Sequence, residues 1–349
     1  MVKRLAYFDQ WMDSSGVSRA EALDGVEAIR MDQSEDEAKN WEILASSHGY
    51  QLRPSTETEQ RYWPSRTFID ACPNLLAISS AGSGYDIVDV DACTERGILV
   101  CSQSGSNADS VAQHVFGMAL VLCKQIIQSD RAIRREGRDW TRWNYRGHEL
   151  TGRTIGIVGL GNVGTQVAAI SKIFNMQAVA YDPYVSDDDF RERGVIREPS
   201  LETLFSDSDL VSINCPLTDE TRGMVGTELY DKMKPNSIFI TTARGFIHDE
   251  KALVVALSEG KIGAAGCDVF EEEPPNHSHP LLNFDNVIVS PHNAGVTSDC
   301  NENMTTYALQ QWTEIFGGHY PSRLRNPTAW PLYCQRFEKM FGVAPTRSE

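Results

Sequence analysis

Short apolar runs alternate with longer stretches of mixed polarity through most of the chain. Apolar runs of about four to eight residues are typical of buried strands, whereas apolar residues spaced three and four apart are typical of helices. The longest helical pattern covers 108–127, with Ser106 and Asn107 as candidate capping residues at its start. This alternation predicts an α/β protein whose parallel sheets carry helices on both faces.

The individual elements follow from the same pattern. The apolar runs predict strands at 4–8, 25–30, 75–80, 98–101, 154–160, 178–181, 210–215, 237–241, 264–270 and 286–290. The helical spacing predicts further helices at 164–174, 200–205, 228–233, 249–258 and 303–316. The stretch after 321 is rich in proline, arginine and aromatic residues and is predicted to be irregular. Its Trp330 and Tyr333 are candidates for contacts with an active site or a neighbouring subunit.

Charge and cysteine content narrow the classes of function. The net charge is −16 and the isoelectric point is about 5.0, so we expect neither nucleic acid nor an anionic membrane surface as a partner. The eight cysteines form no C-x-x-C pair, several lie in apolar runs, and no apolar run is long enough to cross a bilayer. We therefore expect buried free thiols, no membrane association and a cytoplasmic protein.

A glycine motif predicts a dinucleotide site. Residues 159–164 read G-L-G-N-V-G, between an apolar strand and a helical segment. A second strand ends at Asp182, roughly 20 positions further on, as the dinucleotide fingerprint requires. Gly159 permits the tight turn, Gly161 lets the backbone approach the pyrophosphate, and Gly164 allows close packing of helix and strand. Asp182 is placed to bind the ribose hydroxyls and to repel a 2′-phosphate, which favours NAD over NADP.

Three later strands end in polar residues that suit one reaction. They lead into T-A-R-G (242–245), D-V-F-E-E-E-P (268–274) and S-P-H-N-A-G (290–295). An arginine can hold a carboxylate bidentately, a histidine can exchange a proton near neutral pH, and a carboxylate can orient the histidine. With a nicotinamide, this set oxidises a 2-hydroxy acid or reduces a 2-oxo acid. Spacing alone does not choose among Glu271, Glu272 and Glu273.

With these motifs, residues 75–300 resemble the D-isomer-specific 2-hydroxyacid dehydrogenases. Besides the stretches already quoted, S-S-A-G-S-G-Y-D (79–86), S-G-S-N-A-D-S-V-A (104–112) and C-P-L-T (215–218) match that family in the same order. The resemblance implies that Arg244 anchors the substrate carboxylate, that His292 is the acid/base, and that Glu273 is its partner. The resemblance further implies that the hydride is transferred on the face that corresponds to D-isomers of the substrate.

The resemblance also implies the ligand contacts. Substrate contacts are expected from Ser83, Gly84, Asn107, Arg244 and His292. Asp268 is expected at the nicotinamide amide and Pro216 on the adenosine side. The full set of expected NAD contacts is Gly159, Gly161, Asn162, Val163, Gly164, Asp182, Pro183, Cys215, Pro216, Thr242, Ala243, Arg244, Asp268, His292 and Gly295.

The family implies two Rossmann-like or flavodoxin-like lobes with the active site in a cleft between them. The expected substrate-binding domain is discontinuous, residues 1–106 and 299–349, and the NAD-binding domain covers 107–298. A homodimer is expected, with the helix at 108–127 helping to pair the subunits. Two positions depart from the family pattern: Gln113 stands where a glutamate is frequent, and Ile87 where an asparagine is frequent.

Two other functions use the same fold. One is an NAD(H)-sensing interaction protein of the corepressor type, which the lack of a low-complexity partner arm disfavours. The other is oxidation of phosphite or formate, and the longer N-terminal signature of the formate branch is missing here. A metal site at His277 and His279 is not expected, because the loop is proline-rich and no third ligand has suitable spacing.

Overall fold

The computed structural model describes residues 2–53, 57–135 and 140–347. By its internal contacts the chain divides into two compact units. The first comprises Met1–Asn107 and Ser298–Glu349, and the second Ala108–Thr297. Each unit contains one sheet whose strand pairs are all parallel, so the predicted α/β class is confirmed.

The elements of the described residues are numbered in chain order. The strands are β1 (Lys3–Phe8), β2 (Val26–Met31), β3 (Gly49–Leu52), β4 (Ala77–Ser80), β5 (Leu99–Ser102), β6 (Thr154–Val158), β7 (Gln177–Tyr181), β8 (Ile196–Arg197), β9 (Leu210–Ile213), β10 (Ile238–Thr241), β11 (Ala264–Cys267) and β12 (Val287–Val289). The helices are α1 (Gly16–Glu21), α2 (Glu37–Ser46), α3 (Arg66–Ala71), α4 (Val90–Glu95), α5 (Ala108–Cys123), α6 (Ile126–Arg134), α7 (Asn162–Ile173), α8 (Asp187–Arg193), α9 (Leu201–Asp207), α10 (Thr227–Tyr230), α11 (Glu250–Ser258), α12 (Ser298–Phe316) and α13 (Trp330–Phe341).

The first unit has the flavodoxin-like strand order β2-β1-β3-β4-β5. Its sheet is covered on both faces, because two separate apolar clusters pack against alternate side chains of the same strands. Helices α12 and α13 contribute the second cluster, which contains the fully buried rings of Trp312 and Tyr333. The C-terminal part of the chain therefore completes the core of the first unit.

The prediction of an irregular tail is wrong for residues 330–341. Residues 330–341 form α13, whose Trp330, Tyr333, Phe337 and Phe341 follow a helical spacing and contact one another in sequence. Pro331 lies in the first turn, where its missing N–H costs nothing. The suggestion that Tyr333 reaches an active site or a neighbour is also wrong, since its side chain is fully buried within the unit and its hydroxyl donates to the Ile315 carbonyl at 2.7 Å.

The second unit has the strand order β12-β11-β10-β9-β6-β7-β8, which is a Rossmann arrangement extended by one strand. The chain goes from β6 to β7 on one side of the sheet and returns to β9 on the other side of β6. The carboxyl ends of β6 and β9 are thus the topological switch point, where ligands of open α/β sheets bind.

The predicted helix at 108–127 is broken. Helix α5 ends at Cys123, Gln125 takes a left-handed conformation with φ 51°, and α6 begins at Ile126. In the described ranges no single helix is long and apolar enough to cross a membrane; α5 and α6 meet that test only together, and they are bent by 57° at the break.

Candidate active site

The glycine loop joins β6 to α7 at the switch point. Gly159 has φ +90°, and a Cβ there would lie 2.8 Å from the Cys215 backbone nitrogen, so the loops after β6 and β9 touch. A Cβ on Gly164 would lie 2.1 Å from the Gly159 carbonyl oxygen, whereas one on Gly161 would meet no atom within 4 Å. The loop is therefore packed tightly beneath but leaves open space above Gly161, as a pyrophosphate cradle requires.

Asp182 lies directly after β7, beside this loop. One of its carboxylate oxygens accepts a hydrogen bond from the Leu160 N–H at 2.9 Å and the other from the Tyr184 N–H at 2.9 Å. The carboxylate is thus fixed at the edge of the glycine loop, where the ribose of a bound dinucleotide would lie. The hydroxyl of Thr242, after β10, is buried with no hydrogen-bond partner among the described residues. These features fit NAD.

The remaining residues expected to bind the cofactor follow the ends of neighbouring strands in the same sheet. Cys215 and Pro216 follow β9, Thr242 and Ala243 follow β10, and Asp268 follows β11. Burial raises the pKa of Cys215 to about 12, so its thiol stays protonated at neutral pH. The carboxyl edge of β6, β7 and β9–β12 therefore collects the predicted cofactor residues into one region.

Arg244 precedes a short turn of 3₁₀ helix, Gly245–Ile247. Its Nη1 donates to the Ala243 carbonyl at 2.7 Å. A Cβ at Gly245 would lie 1.9 Å from the Phe270 carbonyl oxygen and 2.4 Å from the Glu271 nitrogen. Only glycine permits this approach, and it places the Arg244 segment against the segment that carries the three glutamates.

Glu273 is the glutamate that meets the histidine. Its Oε2 lies 2.7 Å from Nδ1 of His292, and its Oε1 accepts from the Phe270 N–H at 3.1 Å. Burial opposes ionisation of Glu273, but the bonds from His292 and Phe270 and the charges of His292 and Arg244 outweigh it, so its pKa is lowered. Because Nδ1 is committed to a carboxylate, Nε2 of His292 is the ring nitrogen left for proton exchange.

Asp268 organises the loop that carries His292. Its side chain is 1 % exposed and accepts hydrogen bonds from the Ser290 hydroxyl at 2.5 Å, the Asn293 N–H at 2.9 Å and the Ala294 N–H at 3.0 Å. Its backbone carbonyl accepts from the His292 N–H at 2.8 Å. The structure thus gives Asp268 a role within the protein, and its contact with the nicotinamide remains a prediction.

Sequence reasoning missed two residues on α5. The ring of His114 lies 3.0 Å from the Ser290 hydroxyl, and the Ser110 hydroxyl donates to the Ala294 carbonyl at 2.7 Å. Both therefore support the His292 loop. The available signal was a pair of polar residues four positions apart, which share one face of an otherwise apolar helix.

The expected substrate contacts of the first unit lie close together. The Ser83 hydroxyl donates to the Asn107 side-chain oxygen at 2.8 Å, and the Ser80 hydroxyl donates to the Gly84 carbonyl at 2.7 Å. Of the two departures from the family pattern, Ile87 packs against an apolar cluster of this unit. Gln113 is exposed on α5. Within the described residues, no three His, Cys, Asp or Glu side chains form a group that could hold a metal ion.

His248 predicts an acid-sensitive second unit. It is 1 % exposed, and burial lowers its pKa from 6.5 to about 4. Between these values the unfolded chain binds a proton that the folded chain does not, so stability is lost as pH falls through this window, by about 3 kcal/mol in total.

Urea titrations at pH 7 and 4.5, followed by hydrogen-exchange protection of β10, measure this loss. His248→Gln should reduce it, and the exposed-residue control His277→Gln should not; an equal loss in all three proteins contradicts the assignment.

Comparisons with known proteins identify the family to which this chain belongs. A family model described as "D-isomer specific 2-hydroxyacid dehydrogenase, NAD binding domain" matches residues 116–294. A D-3-phosphoglycerate dehydrogenase of Archaeoglobus fulgidus is 41% identical over 236 residues, which are 68% of this chain and 44% of that protein. A glyoxylate reductase of Thermofilum pendens is 38% identical over 260 residues, 74% of this chain and 77% of that protein.

A solved structure of similar fold is the D-lactate dehydrogenase of Aquifex aeolicus complexed with NAD and lactic acid. It aligns with a TM-score of 0.76 and 26% identity over 90% of this chain and 96% of that one. The chain is therefore a member of the D-isomer specific 2-hydroxyacid dehydrogenase family, and its second unit contains the NAD-binding domain of that family. It spans about half the length of the phosphoglycerate dehydrogenases that it matches.

Proposed function

We propose that the protein is an NAD-dependent oxidoreductase that interconverts a small D-2-hydroxy acid and its 2-oxo acid. The observation that carries this proposal is the 2.7 Å pair of His292 and Glu273 at the carboxyl edge of the NAD-binding sheet. A histidine held by a carboxylate is suited to exchange a proton with an alcohol or a carbonyl. Membership of the family supports the same reaction.

In the oxidative direction, Nε2 of His292 removes the proton of the substrate hydroxyl. NAD, when bound, supplies the acceptor for the hydride that leaves C2 of the acid. Glu273 fixes the tautomer of His292 and stabilises the imidazolium that forms when the ring takes the proton. In the reductive direction the imidazolium returns this proton to the carbonyl oxygen.

Arg244 is the proposed anchor for the substrate carboxylate. A guanidinium can bind both carboxylate oxygens in one plane, which fixes C2 as well as the charge. This matters in a protein of net charge −16, because the overall field opposes an anionic substrate. We propose Ser83, Gly84 and Asn107 as further substrate contacts, and Asn162, Val163, Pro183 and Gly295 as further contacts of the cofactor.

Three further properties belong to this proposal. The Asp182 carboxylate favours NAD over NADP, because it would repel a 2′-phosphate. We propose a homodimer, as the family suggests. We also propose a cytoplasmic location, supported by the thiols of Cys72, Cys93 and Cys101, which are buried and form no disulfide.

The proposal is tested by following NADH absorbance with a panel of 2-oxo acids. The names of similar proteins suggest glyoxylate, hydroxypyruvate and 3-phosphohydroxypyruvate, to which pyruvate is added. We expect turnover of at least one acid with NADH and much less with NADPH. Tight NADH binding without turnover of any acid would reject the enzyme and favour an NAD(H)-sensing protein. Formate and phosphite with NAD complete the panel.

A further inference from the structure

Glu250 is a buried carboxylate outside the proposed catalytic trio. It lies in the first turn of α11 and is 8% exposed. Burial of a carboxylate without partners is strongly unfavourable, so the partners of Glu250 show what the fold gains from it.

Both carboxylate oxygens of Glu250 have partners near the proposed site. Oε1 accepts from the Glu271 N–H at 2.7 Å, and the Glu250 N–H donates in return to Oε1 of Glu271 at 3.4 Å. Oε2 lies 3.0 Å from Nε2 of His279. Glu250 thus holds the main chain two residues before Glu273.

The hydrogen bonds of His279 define its orientation. Its Nδ1 accepts from the Leu281 N–H at 3.4 Å, so the neutral ring carries its proton on Nε2 and donates it to Glu250. The ring also packs edge-to-face on Phe270, with centroids 5.6 Å apart. His279 therefore contacts both Glu250 and Phe270, the residue directly before the three glutamates.

These contacts meet at the backbone of Phe270 and Glu271. The Phe270 N–H donates to Glu273, the Glu271 N–H donates to Glu250, and Gly245 packs directly on the Phe270 carbonyl. A shift of these two residues would move Glu273 relative to His292 and would also disturb the segment after Arg244.

We propose that Glu250, oriented by His279, is a positioning residue for the reaction. It fixes the glutamate segment so that the Glu273 carboxylate remains on Nδ1 of His292. This inference rests on the proposed function for its kinetic consequence but not for its structural one. Displacement of a catalytic group by about 1 Å can cost about 100-fold in rate, so loss of Glu250 should lower kcat more than it changes KM.

The kinetic test uses Glu250→Ala and Glu250→Gln. The alanine variant loses both contacts, whereas glutamine keeps an acceptor for the Glu271 N–H and loses only the acceptor for His279. We expect kcat to fall by about 10- to 100-fold in Glu250→Ala, with partial recovery in Glu250→Gln. NADH affinity and the KM for the 2-oxo acid should change by less than about threefold in both. Wild-type kcat in folded Glu250→Ala protein overturns the proposal.

The matched control compares two histidines of one loop. His279→Ala should lower kcat in the same direction as Glu250→Ala, whereas His277→Ala, an exposed residue two positions away, should leave it unchanged. If Glu250→Ala does not fold, Glu250→Gln and His279→Ala decide the matter. Equal kcat in these variants, the control and the wild type rejects the positioning role.

A readout independent of turnover separates this inference from the proposed function. Nitrogen-15 NMR of the histidine rings in the NADH-bound protein reports the Nδ1 bond of His292, whose signals are identified by their loss in His292→Ala. We expect these signals to shift in Glu250→Ala and His279→Ala but not in His277→Ala. Unchanged signals overturn the inference even if no acid in the panel is reduced, and shifted signals support it in that case too.

Discussion

Replacing His292 with alanine lowers kcat by about 10²- to 10⁴-fold, the usual contribution of a positioned general acid or base. The imidazole is the group that exchanges the substrate proton. Glu273, whose Oε2 lies 2.7 Å from Nδ1 of His292, does not replace it in this role. NADH binding is expected to survive, because the glycine loop and Asp182 lie at other strands. Stopped-flow measurement of NADH oxidation, together with fluorescence titration of NADH, checks both parts.

Deuterated NADH makes this test sharper. If proton transfer is impaired and hydride transfer becomes rate-limiting, the isotope effect on kcat should rise in His292→Ala. The exposed His277 provides the control, since His277→Ala should retain the kcat and isotope effect of the wild type. Wild-type turnover in His292→Ala would remove His292 from the mechanism.

Replacing Arg244 with lysine lowers kcat/KM for the 2-oxo acid by about 10²- to 10³-fold. Lysine keeps the charge but cannot bind both carboxylate oxygens in one plane, so orientation of C2 is lost along with part of the binding energy. Steady-state kinetics across the acid panel measure the change. Arg222→Lys is the control, because Arg222 is exposed and its guanidinium carbon lies 5.2 Å from the centre of the Phe246 ring.

Arg244→Gln adds a prediction of pH dependence with a definite sign. In the wild type the charge of Arg244 helps to keep the pKa of Glu273 below its ordinary value of 4.5. The ionised Glu273 that holds His292 is therefore present above this range and is lost as pH falls through the lowered pKa. Without the guanidinium that pKa rises, so the acid limb of kcat should move to higher pH. An unshifted limb in Arg244→Gln would show that the two groups do not interact.

The sequence was most informative where local geometry dictates the residue. Few residues other than glycine can occupy the turn at Gly159 or the close contact at Gly164, and Asp182 marks the end of the next strand. The spacing of these three residues therefore predicted the NAD-binding fold. The strand ends before Arg244, Asp268 and His292 were also predicted, because parallel strands bring their carboxyl ends to one edge. Several predicted strands continued past their observed ends, into the residues that leave the sheet to build the site.

Other features depend on contacts that no local pattern encodes. Three consecutive glutamates have the same chemistry in sequence, and only the path of the chain directs Glu273 to His292 and Glu271 to Glu250. The break at Gln125 requires a positive φ in a residue that ordinarily continues a helix. Helix α13 was missed because Pro331 marks a helix start as readily as an interruption.

The strand order of the second unit has a consequence for how such an enzyme can diversify. Asp182 follows β7 on one side of the switch point, whereas Arg244, Glu273 and His292 follow β10, β11 and β12 on the other. Substitutions after β7 can therefore change which dinucleotide is bound while the proton-exchanging groups stay intact. Substitutions after β10, β11 and β12 can equally change the reaction while the dinucleotide preference is kept. We expect related enzymes to have changed one of these two properties without a change in the other.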